Sequence, residues 1–318
     1  MDKIDKKIVH ELDKDPRISL TKLASAVRIS QQVADYRLKR LFKEGFITKL
    51  SAIINLRALR LEHYRIFFTF SAKRTYTNEQ IFSFLRQREG VYWAARIGGK
   101  YDLLVTLFVF DFEEHDRFIE DFTKTFPSLL KDYKSCYGLE HMFFGHKFLG
   151  NSSTSLSYGQ SKDSVRIDSL DMHILNKLKE NCRLSSLEIA KGTKVSYKTI
   201  LSRIRRLEEK NVILGYRMFI SSQEQRPFVL LFSYKEYSRQ KEKRLISYLQ
   251  EERHVTQLIR LYGTWNLFVH LRMENDEKLQ QLLVELRDGF DIIDTYEIIP
   301  IFEDIAINLL PTSADNRT

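Results

Sequence analysis

Apolar positions near the start of the chain return at helical spacing, with Ile4, Ile8 and Leu12 on one face. Arg17 and Ile18 follow a turn, and Ser19 is placed to cap a short helix carrying Leu20, Leu23 and Ala24. After the tight "VRIS" connection, Ser30 can cap a third helix whose Ala34, Leu38 and Leu41 face inward. Gly45 then stops that helix, as a residue free to adopt a left-handed backbone does. "FITKLSAIINL" alternates like a strand pair or wing. Three helices with a short turn before the last follow a helix-turn-helix plan.

Beyond this head the period changes. "HYRIFFTFSA" reads as a strand and "NEQIFSFLRQRE" as a helix. "GVYWAARI" and "YDLLVTLFVF" read as strands joined at Gly98–Gly99, "EEHDRFIEDFTKTF" as a helix and "KDYKSCYGL" as a closing strand. The order β-α-β-β-α-β is the ferredoxin-like pattern. It recurs from Phe228 to about Phe302, with helices near Lys241–Glu251 and Asp276–Arg287.

The recurrence extends to the heads. Ser30–Leu41 reads "SQQVADYRLKRL" and Ser196–Leu207 reads "SYKTILSRIRRL", an offset of 166 (196 − 30). At that offset Asp5, Ile8, Leu12, Arg17 and Ser19 meet Asp171, Ile174, Leu178, Arg183 and Ser185. Arg37, Arg40 and Ile47 meet Arg203, Arg206 and Ile213. Further on the offset becomes 164, where "RIGGKYDLLVTL" (Arg96–Leu107) meets "RLYGTWNLFVHL" (Arg260–Leu271). The chain is a tandem duplication of a unit of about 150 residues. The fold class expected is α+β, with two winged helix-turn-helix domains (1–60 and 165–225) and two ferredoxin-like domains (61–149 and 226–311). "GNSSTSLSYGQSKDS" (150–164) reads as a flexible linker that reaches ~50 Å when extended, enough for an intrachain pseudo-dimer. Residues 312–318 are expected as a disordered tail.

Composition narrows the function. Hydrophobic residues make up 43% of the 318, ample for real cores, and no run approaches the ~18 apolar residues of a membrane span. The charged N-terminus lacks the apolar stretch of a secretory signal, and only Cys136 and Cys182 are present. A cytoplasmic protein in a reducing compartment is expected, with no membrane partner. Charge concentrates in the heads: residues 1–60 hold 14 Lys/Arg against 7 Asp/Glu, and residues 161–225 hold 13 against 8. Those excesses of +7 and +5 exceed the whole chain's +9, so the remainder nets −3 and a polyanion is expected to meet the heads.

With its head runs "DPRIS…LA…ISQQVADYRLKRLFKEGFI" and "VSYKTILSRIRRLEEKNVI" and its body turn "GGKYDLLV", the chain resembles the Lrp/AsnC (feast/famine) transcriptional regulators. That resemblance implies a non-enzymatic regulator that binds double-stranded DNA and pairs through its bodies, and further homo-oligomers if body edges stay exposed. It also implies a small effector such as an amino acid near the glycine turn, with Gly98, Gly99, Lys100, Tyr101 and Asp102 as the candidates. The family usually has one head and one body per chain; this chain has two of each. Copy two carries Asn211 for Gly45, which also tolerates a left-handed backbone, and Asn266 for Asp102 and Trp265 for Tyr101, two changes that argue against a second, equivalent effector site.

On the first recognition helix the outward positions are Gln31, Gln32, Asp35, Tyr36, Lys39, Arg40 and Lys43. On the second they are Tyr197, Lys198, Leu201, Ser202, Arg205, Arg206 and Lys210. Gln can bond adenine bidentately, while Lys and Arg neutralise phosphates. Arg37 and Arg203 either bind phosphate or brace the helix through an internal ion pair. The two heads agree on basic residues and differ at base-reading positions, so an asymmetric operator with unlike half-sites is expected. His141 and His146 are five apart around a strand end, neither cysteine has metal-ligand spacing, and no metal or cofactor is expected. Two rivals stand beside the regulator. The siroheme decarboxylases also resemble paired Lrp/AsnC units and bind a tetrapyrrole through His and Arg residues; a nucleoid-associated protein would use the same heads without sequence preference.

Overall fold

A computed structural model describes residues 1–72, 75–150, 155–159, 164–221 and 225–310. The expected tail, 312–318, lies outside these residues. The first head is α1 (Lys3–Lys14), α2 (Leu20–Val27) and α3 (Gln31–Lys43); the second is α6 (Ser169–Glu180), α7 (Ser186–Ala190) and α8 (Tyr197–Glu209). The caps are those expected: Ser19 accepts from the Lys22 amide and Ser30 from the Val33 amide, and Ser196 does the same for Thr199. Gly45 and Asn211 both take a left-handed backbone, at φ 73° and 53°.

The wing differs from the expectation. Each head contributes a single strand, and the two strands, β1 (Ile47–Ile54) and β7 (Ile213–Ile220), pair antiparallel with each other, with Leu50 opposite Met218. Burial explains this. β1 is buried at one end by the first head's core, at Ile47 and Leu50, and at the other by the second's, at Ala52, Ile53 and Ile54. A local hairpin would not bring the second core to this strand. The shared ribbon therefore locks the heads together, helped by Arg17 bonding Tyr216 and its counterpart Arg183 bonding the Pro16 carbonyl.

The first body is β2 (Glu62–Phe70), α4 (Asn78–Arg86), β3 (Val91–Ile97), β4 (Leu103–Val109), α5 (Phe112–Thr125) and β5 (Leu130–Phe144). The second is β8 (Arg226–Tyr234), α9 (Arg239–Glu251), β9 (Val255–Tyr262), β10 (Leu267–Met273), α10 (Asp276–Gly289) and β11 (Ile293–Ile307). Both follow the expected ferredoxin-like order, but the closing strands are longer than expected. The first half of β5 pairs with β2 and its second half with β9; β11 likewise serves β8 and then β3. The strands thus close into a ring, β2–β4–β3–β11–β8–β10–β9–β5 and back to β2. Body edges that the sequence reading left open for further pairing are used up inside this chain. The ring interior is apolar near the two glycine turns, where Phe67, Tyr101, Trp265 and Phe268 pack with Val229 and Leu231.

Of residues 150–164, expected as a flexible linker, 151–154 and 160–163 lie outside the described residues, and the part between them differs from the expectation. Ser155–Tyr158 forms β6, which pairs with β5 from His141 to Phe144. Tyr158 is buried and bonds His141, so one aromatic side chain among small polar neighbours pins the segment.

Candidate nucleic-acid interface and interior cleft

Helix periodicity sorts the recognition residues. On α3, Gln31, Gln32, Tyr36, Lys39 and Lys43 are exposed, while Ala34, Leu38 and Leu41 are buried. Asp35 is half-buried and pairs with Lys39 at 2.7 Å. On α8, Tyr197, Lys198, Leu201, Ser202, Arg205 and Lys210 are exposed around buried Ile200, Ile204 and Leu207. Tyr36, Tyr197 and Leu201 are large apolar-bodied groups left uncovered on these faces.

Four arginines have a second engagement. Arg37 reaches Asp2 at 2.6 Å and buried Asp5 at 2.9 Å, and Arg40 reaches Asp5 at 2.6 Å. Arg203 reaches Asp168 at 2.6 Å and Asp171 at 3.1 Å, and Arg206 also pairs with Asp171. The hydrogen bond from Arg37 holds the Asp2 carboxyl down to about 2. These pairs fasten each recognition helix to the first helix of its head. Among the described residues, the exposed cations of these faces without an ion pair are Lys43, Lys198, Arg205 and Lys210, while Lys39 is exposed but paired with Asp35.

At the first glycine turn the Asp102 carboxylate accepts from the Phe70 amide at 2.8 Å, and Asn266 does the same for Tyr234 at 2.8 Å. The replacement thus preserves a backbone-bracing role. Tyr101 is buried and meets Trp265 edge-on at 5.7 Å between centroids, so the two turns touch through their aromatics. Gly98 packs under Phe302, where a Cβ would sit 2.7 Å from the ring. Gly99 and Lys100 are exposed, and Lys100 lies 3.5 Å from Glu297.

Of the polar heart of the body, the sequence singled out His141 alone. Arg65 is wholly buried; its guanidinium lies 3.9 Å from the Phe268 ring centroid, and its Nε and one terminal nitrogen have no hydrogen-bond partner. Burial pulls its pKa to about 9 and that of buried Arg217 to about 10. Nearby, His63 stacks 5.5 Å from His141, whose Nδ1 lies 2.7 Å from the Tyr158 hydroxyl. Burial first, and then Arg65, holds His63 far below the usual imidazole range; for His141 the neighbour next in effect is His63 itself. Gly138 makes room for His63, since a Cβ there would fall 2.0 Å from Nδ1. These groups come from β2, β5 and β6, far apart in sequence, and no short-range spacing announces them.

A cleft of about 1270 Å³ opens between the Arg57–Glu62 segment, β5, Gly159 and α9; His63 and His141 line a narrow recess that shares Arg57, Leu139, Glu140 and Gly159 with it. Arg57 pairs with Glu62 and Tyr137, and Arg260 pairs with Glu242 at 2.8 Å and Glu140 at 3.4 Å. The pseudo-equivalent positions on the other side diverge: Arg96 keeps the pairing, to Glu303 at 3.5 Å, but Asp304 stands where His141 would, bonded by Trp93.

A family model of the AsnC-type helix-turn-helix domain matches residues 1–41 and 167–208. The chain carries two AsnC-type helix-turn-helix heads in tandem. Among its relatives, the proline dehydrogenase transcriptional activator of Rhizobium radiobacter is 28% identical over 130 residues, covering 41% of this chain and 83% of that one. The leucine-responsive regulatory protein of Haemophilus influenzae is 34% identical over 62 residues, 20% of this chain and only 37% of that regulator. Among solved structures, the siroheme decarboxylase NirDL matches the tandem fold over 99% of this chain and 96% of its own, with a TM-score of 0.66 and 16% identity. At that identity the likeness is one of fold, and it covers both copies of the repeated unit.

Proposed function

We propose that the protein is a sequence-specific DNA-binding transcriptional regulator in which one chain, as its own pseudo-dimer, presents two unlike heads to an asymmetric operator. The observation that supports this most is the duplicated AsnC-type head, each copy with an exposed basic face on its third helix and different residues at the base-reading positions. Lys39, Lys43, Lys198, Arg205 and Lys210 supply phosphate contacts; Gln31, Gln32, Tyr197, Lys198, Leu201 and Ser202 supply discrimination. The test is selection of bound duplexes from a random pool, followed by titration at several salt concentrations. Affinity for the selected site falls steeply with salt. Replacing Tyr197, Lys198, Leu201 and Ser202 by their first-copy equivalents Gln, Gln, Asp and Tyr shifts one half-site toward the other. An unchanged preference, or a palindromic site from the start, overturns the two-head reading. A pool that yields no enriched sequence assigns the heads to non-specific packing. An amino-acid effector belongs to the same proposal, seated near Gly98, Gly99, Lys100, Tyr101 and Asp102; calorimetry with an amino-acid panel tests it, and silence across the panel removes it.

One second reading has its own support. The full-length likeness to siroheme decarboxylase, together with a large cleft and a neighbouring recess lined by buried His63 and His141, favours a tetrapyrrole-processing enzyme. Purified protein that takes up an iron tetrapyrrole with a change in its absorbance, and that leaves duplex DNA unshifted, selects this reading over the regulator.

A further inference from the structure

Three matched positions give the two heads opposite chemistry. In the first head they hold Thr21, Gln31 and Asp35, all polar and all engaged: the Thr21 hydroxyl donates to Gln31 Oε1 at 3.4 Å, and Asp35 pairs with Lys39 at 2.7 Å. The offset of 166 brings Leu187, Tyr197 and Leu201 to those places in the second head. These three are uncovered, at 61%, 47% and 38% exposure, and none belongs to the second head's core. One exposed leucine is ordinary on a protein surface. An apolar group at each of three positions that are polar in the sister copy is a difference between the heads.

Tyr197 and Leu201 stand one turn apart on α8, so their side chains adjoin on its outward face. Lys198 lies three residues before Leu201 and Arg205 four after it, both exposed and without an ion pair among the described residues. Those cations decide what kind of surface covers the leucine. An apolar protein partner would bury Lys198 and Arg205 with their charges unanswered, which is strongly unfavourable. Duplex DNA answers them with phosphates, and its major groove presents one apolar group, the C5-methyl of thymine.

We propose that Leu201, with Tyr197 beside it, reads thymine C5-methyl groups, so that the second head selects its half-site by apolar contact. This assignment rests on the heads binding DNA, and adds to that reading the base chemistry of one half-site. Lys198 and Arg205 hold phosphates on either side while the leucine meets the methyl. Cytosine is rejected at the same place, because its N4 amine would be stripped of water against an apolar side chain and left without an acceptor. The matched Asp35 is of the opposite kind, since a carboxylate accepts from that amine.

The test uses the full chain and the duplex that it enriches from a random pool, remade with 2′-deoxyuridine for thymidine in one half at a time. Uracil keeps the base pair and the O4 acceptor and lacks only the methyl. In one half the replacement weakens binding by about fourfold or more, the change that corresponds to burying one such carbon group. Leu201→Ser weakens binding to the thymidine duplex and leaves it indifferent to uridine, to within about twofold. Val284→Ser removes an exposed apolar group from α10, away from the heads, and keeps both the affinity and the dependence on the methyl. Equal affinity for the thymidine and uridine duplexes, or a loss that Leu201→Ser leaves in place, overturns the proposal while the DNA-binding reading stands. A chain that binds no duplex, or enriches none, removes both.

Discussion

Asp5 and Asp171 each answer two arginines from one buried position, 2% and 0% exposed. Each carboxylate receives charge-assisted bonds from residues 32 and 35 positions later, which is how the recognition helix is fixed against the first helix of the head. Replacing either with Asn keeps the shape and removes the charge, so Asp5→Asn and Asp171→Asn each lower stability by about 1.5–3 kcal/mol, the scale of a lost bond to a charged partner. Urea unfolding checks this, and a loss under about 0.5 kcal/mol contradicts the bracing role. The same quartet shows what was legible in the sequence. Asp5, Arg37 and Arg40 recur together as Asp171, Arg203 and Arg206, so the acid and its arginines are kept in both copies even where the outward residues change. Taken one at a time, Arg37 and Arg203 stayed ambiguous between brace and phosphate contact. The missing information was tertiary: only the packed head shows that the arginines turn back on α1 and α6.

Helices were legible to within a few residues because their caps and stops are local. Gly45 and Asn211 illustrate the energetics of such a stop. No atom lies within 4 Å of a Cβ added at Gly45, so Gly45→Ala is opposed by the backbone alone, at about 1–2 kcal/mol in urea unfolding. Asn211→Gly, at φ 53°, leaves stability within about 0.5 kcal/mol, since both residues tolerate that backbone. If Gly45→Ala proves neutral, the left-handed stop is not what ends α3. Strands were legible in kind but not in partner. "FITKLSAIINL" is strand-like on its own, yet which strand it joins depends on the other copy, 166 residues away. The linker misled for a different reason: small polar composition does signal a coil, but Tyr158 finds His141 and outweighs it. Tyr158→Phe removes that hydroxyl from a buried imidazole, and the expected loss is about 1–3 kcal/mol, together with faster proteolysis of the segment around residue 155.

At the scale of the whole molecule the two halves meet around an unusually basic interior, and that makes stability depend on pH in a definable way. His63 and His141 are buried and His270 is half-buried, and loss of solvation is the largest cause holding each well below the ordinary 6.5. The neighbouring cations Arg65, Arg217 and Arg272 push in the same direction, because a proton on any of these rings would face like charge in a dry interior. For a base depressed in the folded chain, the unfolded chain binds the proton first. Stability is therefore full and flat above about pH 6.5 and falls as pH drops below it, by up to about 1.4 kcal/mol per pH unit for each ring. Three rings acting together give up to about 4 kcal/mol per pH unit, a large share of what holds a domain folded. Urea unfolding at about pH 7.5, 6.5 and 5.5 reads this directly, with His270→Asn reducing the slope by close to one proton. A stability that stayed level down to about pH 5 would mean that these imidazoles find acid partners or solvent.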